Sequence, residues 1–306
     1  MPDSILTLPK AELHLHLEGA VEPETLLEIE PSLSMGKILE RYRYASFDQF
    51  LKNFGWVAKH LREPHHYAIA LRRLLASLQR QNVQYVEITL SAGVVLWKQQ
   101  DLGAIHSALR EAAAQSSIPV LWIWDAVRQW GVDAAQRVAE MAAERVNEGV
   151  VAFGLGGDEA NGPAGDFHEV FRYAKDHGLH LVCHAGEALG ASSVWQALDA
   201  GAERIGHGIG SIEDAKLVRY LADSRVPLEV CPTSNYCTGA ALRWGEYPLR
   251  RLFDAGVPII LNTDDPAMFH CTLNGEYSRA HKEFGFSQTE LKAIAANGFR
   301  FAFQSR

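Results

Sequence analysis

Ala11 to Gly19 reads Ala-Glu-Leu-His-Leu-His-Leu-Glu-Gly. On a β-strand successive side chains point to opposite faces, so His14 and His16 share one face while Leu13, Leu15 and Leu17 share the other. At a rise of about 3.3 Å per residue the two imidazoles stand roughly 7 Å apart along the strand and can converge on one ion beyond its end. Gly19 follows, where a backbone must turn sharply. A His-x-His pair is equally at home in a half-buried strand whose rings bond to neighbours, so the metal reading requires that other strands end in matching ligands.

Several other stretches end that way: Gly156-Gly157-Asp158-Glu159, His184-Ala185-Gly186-Glu187, Gly206-His207-Gly208 and Asp264-Asp265-Pro266. His14, His16 and His184 as neutral imidazoles, with Asp264 as a carboxylate, make a zinc-type donor set that leaves room for a water. So much histidine disfavours magnesium. Glu187, three residues past His184, can reach a substrate held over the ion without ligating it, which is the placement of a general acid or base. His207, flanked by glycines, can orient or deprotonate the water. Gly206 to Gly210 is not a phosphate loop, because Ser211 stands where the last glycine of G-x-G-x-x-G belongs. A nucleophile elbow, a His-Glu-x-x-His helix and the cysteine-ligated deaminase signature are all absent.

The elements that must position these groups alternate. Short runs rich in β-branched and aromatic residues predict strands at 83–90, 119–126, 150–157, 180–186, 204–208, 227–235 and 258–266, after a first strand over 11–19. Helix-like stretches near 67–81, 101–115, 132–147, 166–177, 193–200, 213–224 and 245–255 separate them. Eight such units within 306 residues predict an α/β fold, a closed (β/α)8 TIM barrel whose active site lies at the C-terminal strand ends. Residues 276–306, with a capping-box-like start at Ser287 and Glu290, supply closing helices. No linker or composition shift divides the chain, so one domain over 1–306 is expected. The least regular part, about 20–66, sits after strand 1 and carries Phe47, Phe50 and Phe54 at helical spacing, which suits a helical lid insertion over the strand ends.

Composition bounds the partners. With 47% hydrophobic and 22% charged residues the chain can bury a large core. A net charge of −8, from 29 Lys+Arg against 37 Asp+Glu, argues against nucleic acid and for a small-molecule partner. The opening residues lack a basic segment followed by an apolar run, and no stretch approaches the ~20 apolar residues of a membrane span, so a cytoplasmic location without membrane partners is expected. Cys183, Cys231, Cys237 and Cys271 form no Cys-x-x-Cys pair and are expected to be reduced. Self-association, as a homo-oligomer, is left open.

Taken in order, Pro9-Lys-Ala-Glu-Leu-His-Leu-His-Leu-Glu-Gly19, Gly156-Gly-Asp-Glu159, His184-Ala-Gly-Glu187, Arg204-Ile-Gly-His-Gly208, Glu229-Val-Cys-Pro-Thr-Ser-Asn235 and Leu261-Asn-Thr-Asp-Asp-Pro266 resemble the adenosine deaminase family of the metal-dependent amidohydrolase superfamily. The resemblance implies a zinc-dependent hydrolytic deamination of a 6-aminopurine, with one Zn2+ per chain on His14, His16, His184 and Asp264. It further implies that His207 positions and helps deprotonate the water, that Glu187 protonates N1, that Asp265 meets N7 and that the Gly157 backbone meets N3.

The sequence departs from the nucleoside deaminases at Glu18, where they usually carry an aspartate that meets the sugar 5′-hydroxyl; glutamate is found in the adenine and aminodeoxyfutalosine branches. Ser234-Asn-Tyr-Cys-Thr-Gly239 looks more like the nucleoside-deaminating members. A short lid with aromatic and arginine residues suits a bulky 5′ group bearing an aromatic carboxylate. The expected substrate is therefore 6-aminodeoxyfutalosine, an intermediate of menaquinone biosynthesis, ahead of adenosine and then free adenine, with Arg41, Arg43 or Arg62 pairing the carboxylate. The competing readings are a metal-dependent hydrolase of amides, lactones or phosphoesters, and a purine-binding protein without activity.

Overall fold

The computed structural model describes residues 3–44 and 46–303. Eight parallel strands, β1 (Lys10–Glu12), β2 (Val83–Leu90), β3 (Val120–Val127), β4 (Val150–Gly156), β5 (His180–Ala185), β6 (Arg204–His207), β7 (Leu228–Val230) and β8 (Ile259–Leu261), follow one another around a sheet in chain order. This is the (β/α)8 barrel, since parallel neighbours in sequence order demand a helical return after each strand. The predicted strand over 83–90 is reproduced, and most predicted helices agree to within a few residues.

The seam between β8 and β1 is closed differently from the rest. Oδ1 of Asn262 accepts from the backbone N–H of both Leu13 (2.8 Å) and His14 (3.1 Å). Beyond it, Asp264 N donates to the His14 carbonyl at 3.0 Å and His16 N to the Asp264 carbonyl at 2.8 Å. Here the structure corrects the sequence reading. The strand expected over 11–19 ends at Glu12; Leu15 and His16 are carried on isolated bridges to Asp264 and Thr89, and Glu18–Ala20 is a 3-10 turn. Leu13 packs with Ala11 and Ile260, whereas Leu15 and Leu17 join the large core, so the strict alternation slips where two successive N–H groups share one acceptor.

Strands β7 and β8 are also shorter than predicted. Pro232 has no N–H for a ladder and its fixed φ suits the first turn of a helix, so 232–237 is helical instead of strand. After β8, Asp264 adopts φ +69°, outside any strand geometry. The helix predicted over 245–255 is Leu249–Asp254, preceded by a 3-10 turn at Ala240–Trp244.

Between β1 and β2, ahead of the helix Pro64–Arg80, lie the helices Pro23–Ile29, Met35–Arg41 and Phe47–His60. The helix Phe47–His60 carries Phe47, Phe50 and Phe54 as predicted, and Ser46 caps it by accepting from Gln49 N. The chain closes with Leu273–Glu283 and Gln288–Arg300, the latter opened by the Ser287–Glu290 capping box; 304–306 of the predicted closing segment lie outside the described residues. Phe303 packs with Ile123, Val151, Ala152 and Val182 and stacks on His180 at 4.1 Å, which plugs the N-terminal end of the barrel. Among the described residues no helix is long and apolar enough to cross a membrane, and all four cysteines are free.

Candidate metal centre and cavity

The residues singled out on separate strands meet at the C-terminal end of the barrel. Ligand atoms of His14, His16, His184 and Asp264 all lie within 4.8 Å of one another. Nε2 of His14 and Nε2 of His16 stand 3.5 and 3.4 Å from Asp264 Oδ1, and Nε2 of His16 and His184 face each other at 3.2 Å. His14 Nε2 is buried without a hydrogen-bond partner. Three convergent nitrogens and one carboxylate oxygen fit a zinc-type cation, and two of the four, His14 and Asp264, are held for it from behind. His207, Cys231 and Asp264 also approach one another, but burial holds the Cys231 thiol well above its ordinary range and Sγ donates to the Glu229 carbonyl, which suits it poorly as a ligand.

Buttresses explain the orientation of His14 and Asp264. His14 Nδ1 lies 2.8 Å from Glu229 Oε2; Glu229 in turn pairs with Arg204 at 2.5 Å, and Arg204 donates to Glu87 at 2.6 Å and to the Phe301 carbonyl at 2.9 Å. With Nδ1–H committed to Glu229, the ring offers Nε2 to the ligand cluster. Gly206 is needed here, because a Cβ on it would fall 2.7 Å from His14 Cε1. Burial alone would lower His14, but Asp264 and Glu229 outweigh it and raise the ring to about 10, so a proton and a cation compete for the same site. Burial drives His16 down to about 4 and His184 well below its ordinary range, which leaves both rings neutral and able to ligate. Ser234 Oγ donates to Asp264 Oδ2 at 2.6 Å, leaving Oδ1 for the cluster.

His207 sits at φ +61°, a second strained non-glycine residue at the same rim. Tyr247 donates to Oδ1 of Asn235 at 2.7 Å, which turns the Asn235 amide nitrogen toward His207 Nδ1 at 3.1 Å. The hydrogen of the neutral ring is thereby assigned to Nε2, which faces Glu187 Oε2 at 3.5 Å and Asp264 Oδ2 at 4.0 Å. Burial, reinforced by the Asp264 and Glu159 charges, raises Glu187 to about 8, so its carboxyl carries a proton at neutral pH. Glu159 fixes the loop beneath it by accepting from Glu187 N (3.0 Å) and Leu189 N (2.8 Å).

One cavity takes in His16, His184, Asp264, Glu187, His207, Asp265 and Gly157, and its other wall is Phe47, Phe50, Leu51, Phe54, Val94, Val127 and Trp130. Gly157 has φ +97°, and a Cβ there would meet Gln129 Oε1 at 2.3 Å, so only glycine brings the backbone to this wall. Asp265 Oδ1 is buried without a partner, and Gly19 leaves the space it occupies. Glu18 does not line the cavity: it lies behind Ser91, accepting from Ser91 N at 3.1 Å.

The arginines expected at the lid do not reach the cavity. Arg62 pairs with Glu30 on the surface, Arg41 stands over the Trp56 ring, and Arg43 is not among the lining residues. Sequence reasoning also missed Asp125, the one acid in an otherwise apolar β3, which is buried in the wall with Oδ1 unpartnered and raised by burial to about 7. A side chain at Gly154 or Gly156 would fall 2.8 or 2.7 Å from its oxygens. Glu229, Ser234 and Asn235 were visible only as parts of a motif; their buttressing roles depend on contacts across the barrel.

The sequence profile of the adenosine deaminase family matches residues 9–306. The chain is similar to the aminodeoxyfutalosine deaminase of Streptomyces coelicolor, at 36% identity over 98% of this chain and 81% of that protein. It is similar to the adenine deaminase of Sinorhizobium medicae, at 37% identity over 97% of this chain and 94% of that protein. Among solved structures, the adenine deaminase of Arthrobacter aurescens superposes with a TM-score of 0.91 at 28% identity, covering 97% of this chain and 94% of that one.

Proposed function

The chain belongs to the adenosine deaminase family of hydrolytic aminohydrolases, and from that premise we propose that it deaminates a 6-aminopurine nucleoside to the 6-oxo product with release of ammonia. The observation that carries this reading is the placement of the His14–His16–His184–Asp264 donor cluster and the buried Glu187 carboxyl on the same cavity, where burial favours the acid form of Glu187. The cation we assign is Zn2+. Bound there, such an ion supplies a water that ionises near neutral pH.

The protein's own groups do the rest. Glu187 delivers its proton to N1 as C6 is attacked, so negative charge does not build up on the ring; the hydroxyl proton of the tetrahedral carbon then passes to the 6-amino group, and the C6–N bond breaks to leave ammonia and the 6-oxo ring. His207, with its hydrogen on Nε2, donates toward the attacking oxygen and orients it; this tautomer favours orienting the water over taking its proton. Asp265, partnerless at Oδ1, meets N7, and the bare backbone of Gly157 admits the purine edge at N3. The apolar wall excludes bulk water and strengthens each of these contacts. The insertion over 20–66 serves as a lid on one domain spanning the chain, and Glu18 acts on substrate choice through Ser91.

For substrate we place 6-aminodeoxyfutalosine first and adenosine second. The similarity to named adenine deaminases over nearly the whole chain supports the free base as the rival. A panel of 6-aminodeoxyfutalosine, adenosine, AMP and adenine, scored by ammonia release and the ultraviolet change from aminopurine to hydroxypurine, decides between them. Fastest turnover of 6-aminodeoxyfutalosine is expected; equal or faster turnover of adenine would remove the nucleoside preference.

A further inference from the structure

Two indoles stand at the mouth of the cavity with little protein around them. Trp97 is 70% exposed and Trp130 39% exposed, and their rings stack at 5.8 Å and 24°. Trp97 ends the helix Ala92–Trp97, which follows β2; Trp130 ends the 3-10 turn Arg128–Trp130, which follows β3. Both therefore sit on the rim that carries the ligand cluster. Trp130 lines the cavity and Trp97 does not, so Trp97 braces one face of Trp130 and leaves the cavity side open.

The platform is fixed relative to the chemistry. Arg128, two residues before Trp130, is buried and donates to the carbonyls of Gly162 (3.2 Å), Leu155 (3.2 Å) and the ligand His184. Helix Ala92–Trp97 lies hard against the end of β3, for a Cβ on Gly93 would come 3.2 Å from Val127 N. Across the opening the wall is aromatic too, with Phe47, Phe50 and Phe54. Among the described residues no lysine or arginine lines this cavity, so an anionic substituent would find no partner in that wall. What the mouth can recognise is a ring.

We propose that Trp130, braced by Trp97, is a specificity-determining subsite that stacks a flat aromatic group on the end of the nucleoside remote from the 6-amino group. This rests on the cavity being a 6-aminopurine nucleoside site. Aromatic faces on both sides reward an aryl ring over a saturated one of equal bulk, because offset stacking adds to the apolar area removed from water. Any charge on that ring stays at the open end in water.

The test is kcat/KM on 5′-O-benzyladenosine, 5′-O-(cyclohexylmethyl)adenosine and adenosine, with the zinc-loaded wild type, Trp130→Ala, Trp130→Phe and Trp97→Ala. The wild type is expected to prefer the benzyl over the cyclohexylmethyl compound by about tenfold, mostly in KM. Trp130→Ala should bring that ratio close to one, Trp130→Phe should keep most of it, and Trp97→Ala should lose part. Metal content and sedimentation of each variant are measured alongside. A ratio unchanged in Trp130→Ala overturns the proposal, as does a wild-type ratio of one, even where adenosine is turned over. A change confined to sedimentation overturns it in favour of a contact between copies of the chain. Turnover of adenine with none of the three nucleosides instead defeats the functional reading, and the subsite with it.

Discussion

The two ends of the cavity are built by different physics. At the floor most of the chemical groups are set by directional contacts, His14 by Glu229, Asp264 by Ser234, His207 by Asn235 and the Glu187 loop by Glu159, while His184 Nδ1 and Asp265 Oδ1 have no protein partner. At the mouth the helix Phe47–His60 rests on rings, with Phe50 stacked on Phe269 at 4.9 Å and Tyr44 beside it at 6.1 Å from the same ring. Hydrogen bonds fix an atom to within a fraction of an ångström, which metal ligation and proton transfer require. Apolar contact fixes shape and area only, which is what discrimination among substrates requires. Changes at the floor should therefore abolish the reaction, and changes at the mouth should alter which substrate is preferred.

The largest effect is expected from Asp264→Ala. It removes the proposed ligand carboxylate that faces Nε2 of His14 and His16 while leaving the backbone seam bonds in place, so bound metal, read by elemental analysis, and turnover should both be lost. Retained metal would show that the cluster is closed by other groups. Glu187→Gln comes next: the amide keeps the shape and the Glu159-bound loop but carries no acidic proton, so metal stays while kcat falls by about 10²- to 10⁴-fold. Loss of metal in that variant would make Glu187 a ligand. The same group sets a pH limb. Its carboxyl is raised to about 8 and the proposed role needs the protonated form, so kcat should hold below that pH and decline as pH rises through it. A flat alkaline profile would assign the proton elsewhere.

Glu229→Gln tests the longest support. The relay from Phe301 and Glu87 through Arg204 and Glu229 to His14 crosses the barrel from its plugged end to the ligand cluster. Weakening the acceptor on His14 Nδ1 should reduce metal affinity about 10- to 100-fold in a chelator competition, with Glu229→Asp recovering part of it. Unchanged affinity would reduce the relay to a structural ion pair.

The same contrast explains what was legible in the sequence. The floor uses residue types that few other tasks need, so His14, His16, His184, Asp264, Glu187 and His207 stand out one strand end at a time, and the barrel that collects them follows from the β/α alternation. Where a strand stops was not legible. β1 ends at Glu12 because the Asn262 side chain takes over two of its N–H groups, and β7 ends at Val230 because Pro232 starts a helix, both set by tertiary context. The mouth was read less well. Phe47, Phe50 and Phe54 show helical spacing, but Arg41 and Arg62 find partners outside the cavity, and Trp97 and Trp130 meet only when β2 and β3 are side by side.

The smallest effect is expected at the mouth itself. Phe54 is half-buried, and its ring stands edge-on to His16 of the donor cluster at 6.4 Å, so it is where the apolar wall meets the polar floor. Phe54→Ala removes ring area from the cavity without touching a hydrogen bond. KM for the nucleoside should rise about 5- to 30-fold, in keeping with a loss of about 1–2 kcal/mol of apolar contact, while kcat at saturation and metal content stay near wild type. Phe50 is the contrasting choice: buried and stacked on Phe269, its truncation should cost stability as well, by about 3 kcal/mol or more, seen as a lowered Tm. If Phe54→Ala instead lowered kcat with KM unchanged, the wall would be acting on the position of His16, and the division between a chemical floor and a selective mouth would not hold.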